Sequence, residues 1–256
     1  SFIGREKEIA EIKSALETAR LVTLTGSGGT GKTRLSQEVG TQLLTNFQHG
    51  AWFMELAPLS DESQIIPALA QVFGLQEMPF NPLAKLVEDY LRDKKLLLIL
   101  DNCEHLIAAC AQLADHLLHQ CAGLKILASS REALGIAGEA AYRTPSLADT
   151  ESTQLFVDRA RAANSKFALT GSNASAVAQI CHRLDGIPLA IELAAARVKL
   201  LSPVAMLPRL ESHLALLGGG GSRDLPARQQ TLRGAIAWSF DLLDDPGPKV
   251  PTGLAE

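Results

Sequence analysis

The chain has 256 residues, of which 46% are hydrophobic and 20% charged, and 24 Lys and Arg stand against 28 Asp and Glu for a net charge of -4 at pH 7. That is enough chain for one large or two modest domains with apolar cores, which excludes a disordered polypeptide, and the acidic balance supplies no basic field for gripping nucleic acid directly. The longest apolar runs fall far short of the ~18 residues of a membrane span and no charged-then-apolar leader opens the sequence, so the expected location is cytoplasmic, with no membrane partner.

Ile9, Ile12, Leu16 and Ala19 recur at helical spacing, and 21–25 form a short β-rich run that stops at Gly26. Leu35, Val39 and Leu43 then mark one face of a second helix, followed by a strand over 51–56 that Pro58 and Ser60 break. Two more helices are predicted, one with Ile65, Leu69 and Val72 ending before Gly74, the other with Leu83, Leu86, Val87 and Tyr90 and with Pro82 in its first turn. The run 96–100 is all Leu and Ile and ends in Asp101. Such a segment is a central parallel strand, buried on both faces, with its polar group at the carboxyl end where open α/β sheets bind ligands.

A helix carrying Leu106, Cys110, Leu113 and Leu117 leads to another buried strand, 124–128, which delivers Ser129, Ser130 and Arg131 to the same edge. A weaker strand at 140–143 closes this part. The alternation predicts an α/β fold, a three-layer parallel-sheet domain over residues 1–145. Beyond Pro145 the pattern is helical only, with segments at 151–163, 173–184, 188–200 and 203–210, so residues 146–217 are expected to form a helical subdomain. Residues 218–256 hold a glycine linker, Gly218 to Gly221, and one amphipathic helix with Leu232, Ile236, Phe240 and Leu243, a piece too short to fold alone. The chain therefore reads as part of a longer polypeptide.

Cys103, Cys110, Cys121 and Cys181 show no C-x-x-C pairing and are expected to be small buried hydrophobes, neither disulfides nor zinc ligands. His116 and His119 share a helix face but have no further ligand nearby in sequence, so solvated positions are expected.

The chemistry is carried by Gly26-Ser27-Gly28-Gly29-Thr30-Gly31-Lys32-Thr33, which matches G-x-x-x-x-G-K-[ST] between a predicted strand and a predicted helix. Glycines at 26, 28, 29 and 31 let backbone N–H groups wrap phosphates, and the helix that follows, with Arg34 in its first turn, points its positive dipole end at them. Lys32 is assigned to the β- and γ-phosphates and the Thr33 hydroxyl to Mg²⁺, with Asp101 as the carboxylate of the metal shell. A helix cap is the alternative role for Asp101. The next residue is Asn102, whose amide positions water but cannot accept its proton, so hydrolysis is expected to be slow unless Glu104 turns into the site. Arg131 is placed to sense a γ-phosphate, with a solvated loop arginine as the alternative. Pro188 suits the first turn of a helix.

The combination of Phe2-Ile3-Gly4-Arg5-Glu6, the phosphate loop, Leu98 to Asn102, Ser129-Ser130-Arg131 and Gly186-Ile187-Pro188-Leu189-Ala190 resembles the signal-transduction ATPases with numerous domains, the STAND group that includes NB-ARC proteins. Asp101-Asn102-Cys103-Glu104-His105 and the run from Ile191 to Arg197 are similar to bacterial regulator ATPases joined to LuxR-type or SARP-type DNA-binding domains. The resemblance reaches Thr231-Leu232-Arg233 and Ser239 to Leu243, which look like the first helix of a winged-helix domain cut off before the histidine that would contact ADP. It implies an ASCE/AAA+-like P-loop NTPase fold in which Phe2, Ile3, Gly4 and Arg5 line the adenine pocket, Pro188 packs on the base and Arg131 reads the γ-phosphate. It further implies an ATP/ADP switch with Mg²⁺, flanking winged-helix, sensor-repeat and output domains, and nucleotide-dependent homo-oligomers. The other readings are a small-molecule kinase, for which no acceptor site or arginine-rich lid is visible, and a DNA-remodelling AAA+ ATPase, which the acidic balance disfavours.

Overall fold

The computed structural model describes residues 1–77 and 80–210, and within it the chain divides into two compact units, Ser1–Pro145 and Ser146–Glu256. The first unit runs α1 (Glu6–Thr18), β1 (Leu21–Thr25), α2 (Lys32–Leu43), β2 (Ala51–Glu55), α3 (Ile65–Val72), α4 (Leu83–Leu91), β3 (Leu96–Asp101), α5 (Ile107–Gln120), β4 (Leu124–Ser130) and β5 (Glu139–Arg143). All strand pairs are parallel and the order across the sheet is β2-β3-β4-β1-β5. The α/β three-layer class expected from the alternating pattern is the observed one.

The period-2 geometry of the strands builds two cores. Leu21, Leu96, Leu98, Leu100, Ile126 and Ala128 face one side and pack with α3, α4 and α5, while Val22, Leu24, Leu97, Ile99 and Leu127 face the other and pack with α1 and α2. Every residue of β3 is buried, and each of its aliphatic side chains contributes about 1.5 to 3 kcal/mol of transfer free energy. That packing fixes where the strand's last residue, Asp101, emerges.

Several predicted boundaries shift. Asp101 ends its strand as expected, whereas Ser129 and Ser130 belong to β4 and do not follow it, because ladder pairing with β1 continues past the last aliphatic residue. Pro82 is the N-cap of α4, outside its first turn, with an extended ψ of 138°. The four cysteines are free and buried, as expected, and the two histidines are exposed, His116 against Glu88 Oε2 at 3.2 Å and His119 against the Asp115 carbonyl at 2.7 Å.

In the second unit, α6 (Asp149–Ala163), α7 (Ala174–Arg183) and α8 (Pro188–Ala196) bury Leu155, Phe156, Val177, Ile180, Ile191 and Ala194. The predicted helix 188–200 is shorter than expected: α8 stops at Ala196 and the chain tightens into a 3-10 turn at Arg197–Lys199. Residues 203–210 are helical, and the glycine linker and the helix predicted around Leu232 to Leu243 lie outside the described residues.

Candidate nucleotide-binding site

β1 ends at Thr25 and the chain turns through the glycine-rich loop into α2. Gly31 is the N-cap of α2 in the left-handed region, with φ 87°, and no side chain caps the helix. A residue with a Cβ pays about 1 to 2 kcal/mol for that conformation, so glycine is the residue that lets the helix begin with its N–H groups open toward an anion. Thr30 is buried and its Oγ1 donates to the Ser27 carbonyl at 2.9 Å, bracing the loop internally. Gly28 and Gly29 lie half-buried on the same loop, and Arg34 lies exposed on the first turn of α2, its guanidinium donating to the Ser1 carbonyl.

Lys32 Nζ donates to the carbonyls of Gly26 at 2.8 Å and Ser27 at 3.1 Å, so its ammonium lies across the mouth of the loop. Burial pushes its pKa below the ordinary lysine value; the carboxylates of Glu104 and Asp101 oppose that shift and the Arg131 guanidinium adds to it. Lys32, Asp101, Glu104 and Arg131 thus share one electrostatic neighbourhood, although 99 positions of sequence separate the first from the last.

The Thr33 hydroxyl lies 2.9 Å from both oxygens of Asp101. A hydroxyl beside one carboxylate is a hard, all-oxygen donor pair. It suits Mg²⁺, which takes one or two carboxylates, keeps several waters and completes its shell with substrate phosphates. Among the described residues no cluster of three or more His, Cys, Asp or Glu forms an alternative metal site.

Ser129 was not singled out as a site residue by sequence reasoning. β4 lies between β1 and β3, and Ala128 pairs with Leu100, so Ser129 stands opposite Asp101. Its Oγ donates to Asp101 Oδ1 and accepts the Asn102 N–H at 2.9 Å. That second bond helps hold Asn102 in the left-handed conformation, φ 65°, in which the chain leaves the strand. The sequence signals were its delivery with Ser130 and Arg131 to the ligand-binding edge of the sheet and its place in the Ser129-Ser130-Arg131 motif of the resemblance.

Beyond Asn102 a 3-10 turn, Cys103–His105, presents Glu104, whose Oε1 accepts from Arg131 Nε at 2.9 Å. The Arg131 side chain is 65% exposed and that of Glu104 20%.

Of the amino-terminal candidates, Arg5 reaches the loop. Phe2 packs against the core under α1 and α2, Ile3 is half-buried, and Gly4 and Arg5 both have left-handed backbones. Arg5 is only 3% exposed, and its guanidinium donates to the carbonyls of Thr30 at 2.9 Å and Pro145 at 3.0 Å. Its side chain thus ties the loop to the unit's last residue, and its guanidinium also lies 3.9 Å from Glu8 Oε1. Pro188 occupies the first turn of α8 in the second unit.

Residues 14–135 match the protein family described as AAA domain. An uncharacterized protein of Mycobacterium tuberculosis (strain ATCC 25618 / H37Rv) is 42% identical over 247 residues, which cover 96% of this chain and 63% of that one. A second protein of that strain, provisionally named an HTH-type transcriptional regulator, is 43% identical over 235 residues, 91% of this chain and 26% of its own. The chain thus spans under two thirds of either relative. Among solved structures, the Walker-type ATPase of Pyrococcus abyssi superposes with a TM-score of 0.54 at 16% identity, covering 98% of this chain and 86% of that one. A signal transduction ATPase with numerous domains and a tetratricopeptide repeat sensor, from Pyrococcus horikoshii, gives a TM-score of 0.50 at 18% identity, over 91% of this chain and 39% of that one. At such identities the likeness is one of fold, that of the P-loop NTPases.

Proposed function

We propose, from a P-loop NTPase fold whose residues 14–135 match the AAA domain family, that the chain is the ATP/ADP-binding switch module of a multidomain bacterial regulator and hydrolyses ATP slowly with Mg²⁺. The observation that carries this reading is the gathering of Lys32, Thr33, Asp101, Glu104 and Arg131 around one glycine-rich loop. Lys32 exchanges its loop carbonyl acceptors for β- and γ-phosphate oxygens, and the uncapped N–H groups of α2 bind the same phosphates. Thr33 and Asp101 hold Mg²⁺, which when bound neutralises charge on the phosphates. Arg131 reads the third phosphate.

Slow turnover follows from what stands next to Asp101. Asn102 orients water without taking its proton, and the carboxylate of the following turn, Glu104, is engaged by Arg131. The regulator part of the reading rests on the provisional name of one relative and on the fold shared with a sensor-bearing signal transduction ATPase. In it residues 1–145 bind nucleotide with Phe2, Ile3, Gly4 and Arg5 beside the base, residues 146–217 form a helical lid that contributes Pro188, and residues 218–256 lead into a winged-helix domain. Sensor repeats and an output domain flank these in the full-length protein, and ATP promotes self-association.

Calorimetric titration of ATP and ADP into Lys32→Ala tests the site. Loss of most affinity for both nucleotides in a folded variant is expected, and undiminished binding would remove the loop from the mechanism.

A further inference from the structure

We infer that Glu104 is a specificity-determining residue: its carboxylate latches Arg131, so that the third phosphate of ATP must displace an internal anion while ADP binds with the latch closed. The inference rests on the reading above, in which Arg131 meets a γ-phosphate.

The two partners are held very differently. Glu104 sits in a turn that is fixed on both sides. Before it, the Asn102 N–H is bound to Ser129 Oγ and Cys103 is fully buried, its Sγ donating to the Leu100 carbonyl at 3.5 Å. After it, His105 Nε2 lies 3.0 Å from the Leu59 carbonyl and the Leu106 N–H donates to the Cys103 carbonyl at 3.0 Å. Arg131 follows the last residue of β4 with most of its side chain in solvent. The carboxylate is therefore the anchored member and the guanidinium the member able to swing.

Charge sets the direction of the effect. Lys32 and Arg131 bring positive charge to the neighbourhood, and the carboxylates of Glu104 and Asp101 oppose it. Glu104 takes one edge of the guanidinium through a single Nε–Oε1 bond of 2.9 Å, and an incoming γ-phosphate that takes the guanidinium as a fork turns it away from that carboxylate. A diphosphate offers no third group to compete. Glu104 thus lowers affinity for ATP selectively and shifts the module toward its ADP-bound form.

The test is a double-mutant cycle on the 256-residue chain, with ADP and a non-hydrolysable ATP analogue titrated in the presence of Mg²⁺. Glu104→Gln and Glu104→Ala are both used, since glutamine retains a weak acceptor. An exposed ion pair of this kind predicts a gain of about two- to fivefold in the ratio of ATP-analogue to ADP affinity, largest for alanine. In an Arg131→Ala background the same substitutions should leave the ratio unchanged. Retained ADP binding reports that each variant is folded. If Arg131→Ala lowers the ratio but neither Glu104 variant raises it, the latch is wrong while the γ-phosphate reading stands. A gain for both nucleotides alike, persisting without Arg131, would mean a general field effect and would also overturn the latch. An unchanged ratio in Arg131→Ala alone overturns the sensor role and the latch with it.

Discussion

At the scale of single residues, the site depends on groups that hold other groups. Asp101 is 3% exposed, and its carboxylate is held by the hydroxyls of Thr33 and Ser129. A hydrogen bond to a charged group contributes about 1.5 to 3 kcal/mol, so Ser129 does much of the work of aiming that carboxylate. Ser129→Ala should therefore weaken Mg²⁺-dependent nucleotide binding about tenfold or more, with little change when Mg²⁺ is chelated. Asp101→Asn should show the same pattern more strongly. Titrations with and without Mg²⁺ check both, and equal losses under the two conditions would make the pair structural and not part of a metal shell.

At the scale of elements, the turn before α8 shows how backbone geometry fixes a residue. Asp185 and Gly186 both have positive φ, 53° and 63°, and the Gly186 carbonyl accepts the Leu147 N–H at 2.9 Å. A Cβ at Gly186 would lie 2.4 Å from the Leu147 carbonyl oxygen. Left-handed strain and the clash together predict that Gly186→Ala destabilises the second unit by about 2 to 5 kcal/mol. Denaturant unfolding measures this, and a loss below ~1 kcal/mol would show that the turn relaxes. The motif Gly186-Ile187-Pro188 was legible in the sequence, and so were the phosphate loop and the strand ending in Asp101, because glycine conformation and apolar runs are local properties. The insertion of β4 between β1 and β3 was not legible in the periodicity and entered only through the ASCE/AAA+-like fold that the family resemblance implied. Strand order is decided by packing across the sheet, and periodicity within one strand carries no trace of it. Ser129 opposite Asp101 and Glu104 beside Arg131 follow from that order, which is why both pairings appear only in the fold. The burial of Arg5 was hidden for a related reason: its acceptors, Thr30 and Pro145, lie 25 and 140 positions away.

At the scale of the molecule, a switch has to carry nucleotide state out of the first unit, since Lys32, Asp101, Glu104 and Arg131 all belong to it. Arg5 offers a route within that unit. One guanidinium binds both the Thr30 carbonyl in the phosphate loop and the carbonyl of Pro145, the unit's last residue. A ligand shifts an equilibrium only through a difference in affinity for its two states, so tight binding alone does not make a switch. At 100 times their dissociation constants, ADP and an ATP analogue each stabilise whatever they bind by about 2.7 kcal/mol, which removes simple occupancy as a variable. Under those matched conditions a plain binding module gives identical amide hydrogen exchange in α6, α7 and α8 with either nucleotide. The proposed switch gives different exchange there, and Arg5→Ala reduces that difference because the link between loop and exit is cut. Identical exchange in the unmodified chain would mean that the third phosphate is felt only inside the first unit, and would overturn the switch reading for this chain.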